Sequence, residues 1–136
     1  YNYKGSLNDQ MAKSISGAMG EVAASKFLGI KFEYHCNVGG VPDLIFKDLK
    51  LQVRTQLEKP NNKNSLIIRP KSLPGQFYIL VIDEAPIFKI LGFVNSTHVL
   101  GTEKFLTDFG LDRPPCYSLP PEKLTPIFLL KNGTWN

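Results

Sequence analysis

The sequence predicts an α/β (α+β) domain in which one long N-terminal helix packs on a mixed sheet of short strands. Three observations predict it: a helical period of apolar residues near the start, a change to strand-like patterns after residue 30, and an unbroken apolar run at 78–82. A helix followed by consecutive strands is typical of this plan. At 136 residues the chain is long enough for one core, and we expect a single domain over residues 1–136.

The long helix is predicted over residues 6–28. Ser6 or Asn8 can serve as N-cap, and Asp9 falls in the first turn, where a carboxylate interacts favourably with the helix dipole. Gly29 suits the position that ends a helix. Apolar residues recur at a spacing of three and four and predict one stripe, which consists of Met11, Ile15, Ala18, Met19, Val22, Ala23 and Phe27.

Two glycines interrupt this helix. Gly17 and Gly20 each weaken a helix by roughly 1 kcal/mol relative to Ala, which predicts a close approach of the sheet there. We therefore expect Ile15 and Val22 to be buried and Glu21 to lie near the sheet-facing edge.

Short strands follow, separated by turn residues. Residues 31–37 alternate between apolar and polar, and Gly39-Gly40 predicts a turn. Further strands are predicted at 44–46, 49–55, 65–69, 77–82 and 87–94. The run 78–82 indicates a central strand covered on both faces, and Gly92 indicates a bulge. The segment 59–64 predicts a mobile, basic hairpin loop.

The last third of the chain carries weaker signals. Residues 97–109 predict a small helix interrupted by Gly101. Residues 112–126 contain five prolines and predict an irregular tail with one turn at 121–124. Leu119 and residues 124–130 indicate a final strand that closes the sheet.

Composition excludes several classes of protein. A hydrophobic share of 43% and a charged share of 21% are ordinary for a soluble globular protein. No run approaches the roughly 18 apolar residues of a membrane span, and the first nine residues lack the apolar segment of a secretion signal. We therefore expect a cytoplasmic protein without a membrane partner. Cys36 and Cys116 are expected to be free thiols, and no ligand spacing for structural zinc occurs.

A carboxylate at the start of one predicted strand is followed by a polar triplet on the next strand. Pro42-Asp43 precedes the strand 44–46, and Gln52-Val53-Arg54 follows nine residues after Asp43. Gln52 and Arg54 are two apart and project from one face, so Leu51 and Val53 face the helix. Phosphodiester hydrolysis needs a divalent metal beside a positive charge, and this arrangement can supply both.

Each candidate also has an ordinary structural interpretation. Asp43 can cap its own turn, Gln52 and Arg54 can face solvent, and Glu21 can be an exposed helix residue in contact with Lys13 or Lys26. His35 and His98 are the two histidines of the chain. Neither lies in a motif that predicts a catalytic base.

The order of these residues resembles the PD-(D/E)XK nuclease superfamily, in which Pro-Asp is followed by a spacer and Asp/Glu-x-Lys. Here the triplet is Gln-x-Arg, so both polar positions differ from the pattern. The resemblance covers residues 7–96 and looks like the small phage-type members and the homing endonucleases built on that fold. It implies a restriction-endonuclease-like core and an intracellular protein, encoded by a phage in a bacterial host.

The resemblance implies a Mg²⁺- or Mn²⁺-dependent endonuclease that acts on double-stranded DNA. It assigns catalysis to Glu21, Asp43, Gln52 and Arg54. The metal ligands would be Glu21, Asp43, the Gln52 amide oxygen and the Val53 carbonyl, an oxygen-only shell that suits Mg²⁺. Arg54 stays protonated, so it would orient a phosphate rather than act as a base.

Further cations predict a phosphate-contacting surface around Arg54, made of Lys59, Lys63, Arg69 and Lys71. The formal charge of +4 agrees with a polyanionic partner. A solvated charged face is the alternative. Two other functions stay open: a DNA-binding protein on the nuclease fold without catalysis, and a phage accessory or interaction protein. A homodimer or a higher homo-oligomer is also open.

Overall fold

The computed structural model describes residues 6–32 and 42–133. Its architecture is α+β, as predicted: an N-terminal helix, a mixed four-stranded sheet, a second sheet of three strands and a small C-terminal helix. The elements are α1 (Leu7–Leu28), β1 (Leu44–Phe46), β2 (Leu49–Leu57), β3 (Leu66–Ile68), β4 (Phe77–Glu84), β5 (Ile87–Asn95), β6 (Leu106–Thr107), β7 (Cys116–Leu119) and α2 (Ile127–Asn132).

The ends of α1 follow from local chemistry. The Ser6 hydroxyl accepts a hydrogen bond from the Asp9 amide at 3.1 Å, and the Asp9 carboxylate accepts one from the Ser6 amide at 3.3 Å. This reciprocal pair is a capping box. Gly29 adopts a left-handed conformation with φ 73°, which ends the helix. The predicted start and end of α1 are confirmed.

The larger sheet has the order β1-β2-β4-β5. β1 and β2 form a hairpin whose turn residues, Lys47 and Asp48, both have positive φ. β2 and β4 are parallel, and β4 and β5 are antiparallel. The pairing of Leu80 with Gly92 and of Val81 with Ile90 leaves one extra residue on β5, so the predicted bulge at Gly92 is confirmed.

β4 is the central strand and is covered on both faces, as its continuous apolar run predicts. One face contributes to a first core, between the sheet and the two α-helices, and the other to a second core, beneath the smaller sheet. The first core comprises Ala24, Leu28, Leu44, Phe46, Leu51, Val53, Phe77, Ile79, Val81, Phe93 and Leu130. The second core comprises Leu66, Ile68, Tyr78, Leu80, Ile82, Val99, Tyr117, Leu119 and Leu124.

The prediction of which face of α1 is buried is wrong. The buried residues of the helix are Gly20, Ala24, Ser25 and Leu28, all in its C-terminal half. Ile15 is exposed, as are Met11 and Met19, and Val22 is half-buried. The helix packs through its small residues because these allow a close approach. A Cβ on Gly20 would overlap Thr55 of β2, whereas one on Gly17 would meet nothing within 4 Å.

The chain after β5 differs from the prediction. Residues 97–109 form no α-helix but two 3-10 turns, Ser96–His98 and Glu103–Phe105, followed by β6. The tail contains a strand, β7, which pairs with both β3 and β6, and the predicted turn near residue 121 is a 3-10 turn. Residues 127–132 are helical, so the predicted final strand is wrong. Only Thr125 forms an isolated bridge, with Phe93.

Two further expectations concern the loops. β2 and β3 lie in different sheets, so the connection 58–65 is a crossover and not a hairpin loop. The predicted strand 31–37 lies mostly outside the described residues, as do the Gly39-Gly40 turn, His35 and Cys36. Cys116 is a buried free thiol. Within residues 6–32 and 42–133, no helix combines the length and hydropathy that a membrane crossing requires.

Candidate functional site

Asp43 lies immediately before β1 and is joined to β2 by its side chain. Its Oδ2 atom accepts a hydrogen bond from the Val53 amide at 2.8 Å. The pairing of β1 with β2 runs from Phe46 opposite Leu49 to Leu44 opposite Leu51, so Val53 lies beyond it. The Asp43 carboxylate therefore satisfies a backbone donor that the ladder no longer reaches. This bond fixes the carboxylate at the end of a rigid hairpin.

The Arg54 side chain contacts both Asp43 and Val53. Its Nη1 atom lies 3.5 Å from Asp43 Oδ2 and donates to the Val53 carbonyl oxygen at 3.3 Å. The guanidinium also lies over the Tyr78 ring, with its central carbon 5.2 Å from the ring centroid. The Arg54 side chain is 44% exposed and that of Asp43 is 15% exposed. One cation is thus shared by a carboxylate and a carbonyl oxygen at a surface position.

Gln52 is held by a buried polar network. Its Nε2 donates to the side-chain Oε1 of Gln76 at 3.0 Å, and the backbone N–H of Gln76 donates to Ser96 Oγ at 3.1 Å. Ser96 Oγ in turn donates to the Leu73 carbonyl at 2.8 Å. Gln76 and Ser96 are both buried. Because the Gln52 amide group is anchored through its nitrogen, its oxygen is the end that points away from Gln76.

Gln52, Arg54 and Gln56 form a polar row on one face of β2. As the two-residue spacing predicts, Leu51 and Val53 face the other way and are buried in the first core, against α1. Gln56 is held at the far end of the row: its Nε2 donates to the Ser65 carbonyl at 2.6 Å. The polar row is therefore anchored at both ends, and its middle residue is the exposed Arg54.

Glu21 lies on a different layer from the polar row. It is half-buried on α1, which packs on the first-core side of β2, whereas Gln52 and Arg54 project toward the second-core side. Among the described residues, no group of three or more His, Cys, Asp or Glu side chains is placed to hold a metal ion. The role of Glu21 as a second carboxylate ligand stays a prediction.

The other predicted cations lie in the two segments that flank β3. Lys59 and Lys63 are exposed in the β2–β3 crossover, and Arg69 and Lys71 are exposed in the segment that follows β3. The crossover is ordered by the buried Asn64, whose Oδ1 accepts from the Lys59 amide at 2.8 Å and whose Nδ2 donates to the Leu57 carbonyl at 2.9 Å. The predicted mobility of this loop finds no support in these contacts.

Sequence reasoning missed three residues that position the site: Tyr78, Gln76 and Ser96. A signal existed for one of them, because Gln76 directly precedes the apolar run of β4 and a polar residue there needs a partner. Ser96 and Tyr78 carry no such local signal. His98 is exposed on a 3-10 turn.

Comparisons with models of protein families, with curated protein sequences and with solved structures found no match. The functional argument therefore depends on the geometry of this chain alone.

Proposed function

We propose that this protein is a metal-dependent DNA endonuclease whose reacting centre lies at Asp43. The observation that supports the proposal is the position of Arg54 Nη1, which lies 3.5 Å from Asp43 Oδ2 and 3.3 Å from the Val53 carbonyl oxygen. Two oxygens of different chemistry already converge on one cation at a surface position. Hard divalent ions select oxygen ligands of this kind.

The residues present fit Mg²⁺ or Mn²⁺ by the chemistry of their donor atoms. The Asp43 carboxylate, the Gln52 amide oxygen and the Val53 carbonyl would hold the ion. Glu21, the further carboxylate that the sequence predicts, lies on the α1 side of β2 and is left out of this ligand set. Such an ion supplies polarisation of the phosphate and a more acidic water. Gln52 contributes no charge, so we expect weaker metal affinity than at a site with a carboxylate in its place.

Arg54 would exchange its partner when substrate binds. The arginine end of its ion pair with Asp43 is 44% exposed, and ion pairs that reach the surface contribute about 0–1 kcal/mol. A phosphate can therefore compete for the guanidinium, which binds phosphate oxygens through two parallel hydrogen bonds. Release of Arg54 would also remove the cation beside the Asp43 carboxylate, which would still accept the Val53 amide hydrogen bond. Arg54 would stabilise the negative charge that develops on the phosphate, and it takes no proton.

The remaining cations would bind DNA phosphates on either side of this centre. Lys59 and Lys63 lie in the crossover beyond Gln56, and Arg69 and Lys71 lie in the segment leading to Gln76, beside Gln52. Lysine and arginine contacts to the backbone position DNA without reading its sequence. We therefore propose double-stranded DNA as the substrate, bound along the polar row.

The test is metal-dependent cleavage with a matched pair of variants. Wild-type protein is incubated with supercoiled and linear duplex DNA in Mg²⁺, in Mn²⁺ and in EDTA. We expect nicking or cutting with either metal and none in EDTA. Asp43→Asn should abolish cleavage, because it removes the charge but retains an acceptor for the Val53 amide. Asp112→Asn, at an exposed loop position, is the control and should cleave like the wild type.

Absence of cleavage by the wild type with both metals contradicts the nuclease proposal. Cleavage that persists in Asp43→Asn contradicts the assignment of the reacting centre. In both experiments the DNA also includes single-stranded and branched forms, so that a restricted substrate range is not mistaken for inactivity.

A second candidate is a DNA-binding protein that does not cut. The observation that favours it is the same guanidinium: Arg54 fills the position between Asp43 and Val53 from within the chain. In that case Arg54 keeps Asp43 neutralised and no metal is needed. A mobility shift in EDTA that weakens steeply with salt, without cleavage under any metal, would support this function. Absence of any shift would leave an accessory or interaction protein.

A further inference from the structure

The N-terminal half of α1 contains no buried residue. Every residue from 6 to 15 is exposed, and the buried residues of the helix begin at Gly20. A helix of this length gains little stability by itself in water, because most helical stability in proteins comes from packing an apolar face. On one side, these turns line a cavity with the end of β2 and the crossover, through Asp9, Ala12, Lys13 and Ser16. On the opposite side of the helix, every residue as far as Ile15 is exposed.

Four large apolar side chains of α1 are exposed. Leu7 is 71% exposed, Met11 54%, Ile15 61% and Met19 43%. They recur every four residues and form one continuous row, which we name the exposed stripe. The charged residues between Leu7 and Val22 each lie about 100° or more around the helix from the centre of this row, at 3.6 residues per turn. Those residues are Asp9, Lys13 and Glu21.

The exposed stripe has the geometry of one half of a symmetric helix pair. Residues at a spacing of four form a ridge, and ridges of this kind pack into the grooves of a second helix. The neighbouring row at the same spacing holds the small residues Ser14 and Ala18, which leaves a groove beside the ridge. One helix thus presents both a ridge and a matching groove, which is what a self-complementary two-fold interface requires.

We infer that two copies of this chain associate through α1, antiparallel, with the exposed stripe of each in the groove of the other. About a two-fold axis near the middle of the stripe, Met11 of each copy would face Ile15 of the other. The antiparallel arrangement also opposes the two helix dipoles favourably. This inference goes beyond the proposed function and does not depend on it.

The area available is sufficient for a stable dimer. The exposed fractions together exceed two whole side chains, or on the order of 400 Å² of apolar surface, within the range of the largest patches that monomers expose. At an apolar share of roughly 60%, this corresponds to an interface of roughly 650 Å² on each copy. Stable interfaces bury about 600–1,000 Å² per partner.

The chemistry of the stripe disfavours other occupants. DNA and charged protein surfaces would find no countercharge along it. Helices that lie on membranes carry many Lys and Arg residues on their polar face, whereas between Leu7 and Val22 the only such residue is Lys13. A second copy, in contrast, offers the same uncharged ridge and groove.

The test is the mass in solution of matched variants, measured by sedimentation over a range of concentrations. Wild type should be dimeric at micromolar concentration, and Ile15→Glu should be monomeric or at least tenfold weaker in dimerisation. Leu111→Glu is the control, because Leu111 is 58% exposed in the connection between β6 and β7 of the smaller sheet and should leave the dimer unchanged. Ile15 takes no part in either core, so circular dichroism should report an intact fold.

A cysteine pair tests the orientation. Met11→Cys and Ile15→Cys proteins, mixed and oxidised, should form a disulfide between copies faster than either protein alone. A monomeric wild type overturns the inference, as does a dimer that survives Ile15→Glu. Equal cross-linking in the mixture and in the separate proteins overturns the antiparallel arrangement.

Discussion

At the scale of single residues, Asp43 has two tasks that must be separated. Its carboxylate accepts the Val53 amide hydrogen bond and also contacts Arg54. Val53 is buried, so Asp43→Ala should leave its amide unsatisfied and lower the free energy of unfolding by about 1–3 kcal/mol. Asp43→Asn should cost less than the alanine variant. Urea denaturation of both variants measures the difference, and equal costs would show that water replaces the carboxylate.

Substitution of Arg54 should change the cleavage rate and the DNA affinity by different amounts. If it stabilises developing charge, Arg54→Ala should lower the cleavage rate by roughly 10²–10³-fold and DNA affinity by much less. Arg54→Lys should retain part of the activity, because it keeps the charge but loses the two parallel bonds. Arg113→Ala, which removes an exposed arginine near Phe109, is the control. An unchanged rate with weaker binding would make Arg54 a phosphate anchor only.

At the scale of elements, the docking of α1 depends on Gly20. Gly20→Ala would place its Cβ on Thr55 Oγ1, an atom that is buried without a hydrogen-bond partner in the described chain. We expect a loss of about 1–3 kcal/mol in the free energy of unfolding from overpacking. Gly17→Ala meets nothing within 4 Å and should instead gain up to about 1 kcal/mol from helix propensity. Thermal unfolding of the pair gives the comparison. A neutral Gly20→Ala would show that the helix can shift away from β2.

The elements also show which signals a sequence carries. The ends of α1 and the bulge at Gly92 were predictable because caps and glycine conformations are local. The face that α1 buries was not, since an apolar stripe that serves a surface cannot be distinguished by period from one that serves a core. The helix predicted at 97–109 failed for a related reason: tertiary pairing of β6 with β7 outweighs weak local propensity.

The candidate site was predictable in part. The spacing of Gln52 and Arg54 predicted one shared face, and the order of residues placed Asp43 near them. The cation between Asp43 and Val53 could not be predicted, because it depends on the pairing of β1 ending at Leu51, two residues before Val53. The anchoring of Gln52 by Gln76 depends on the parallel pairing of β2 with β4, which is a non-local contact.

At the scale of the whole molecule, the larger sheet separates two surfaces with different properties. Both α-helices cover the first-core side, and the exposed stripe of α1 lies beyond them. The polar row opens on the opposite side. The crossover after β2 lies between the two surfaces, since Lys59 lines a cavity with Asp9 and Lys13 of α1. Binding of DNA along the polar row, as proposed, and pairing through the exposed stripe, as inferred, would use different faces of the larger sheet.

If DNA binds along the polar row, the salt dependence of binding should arise from the cations of the crossover beside that row. The double variant Lys59→Gln/Lys63→Gln should weaken binding to all duplex sequences and reduce the slope of log affinity against log salt by about 1–2, because each phosphate contact contributes about 0.9. The matched control is Lys26→Gln/Lys131→Gln, which removes the same charge from α1 and α2 on the other side. Mobility shifts over a salt series measure both slopes. If the control flattens the slope as much as the crossover variant, net charge alone drives binding and the polar row does not define the DNA surface.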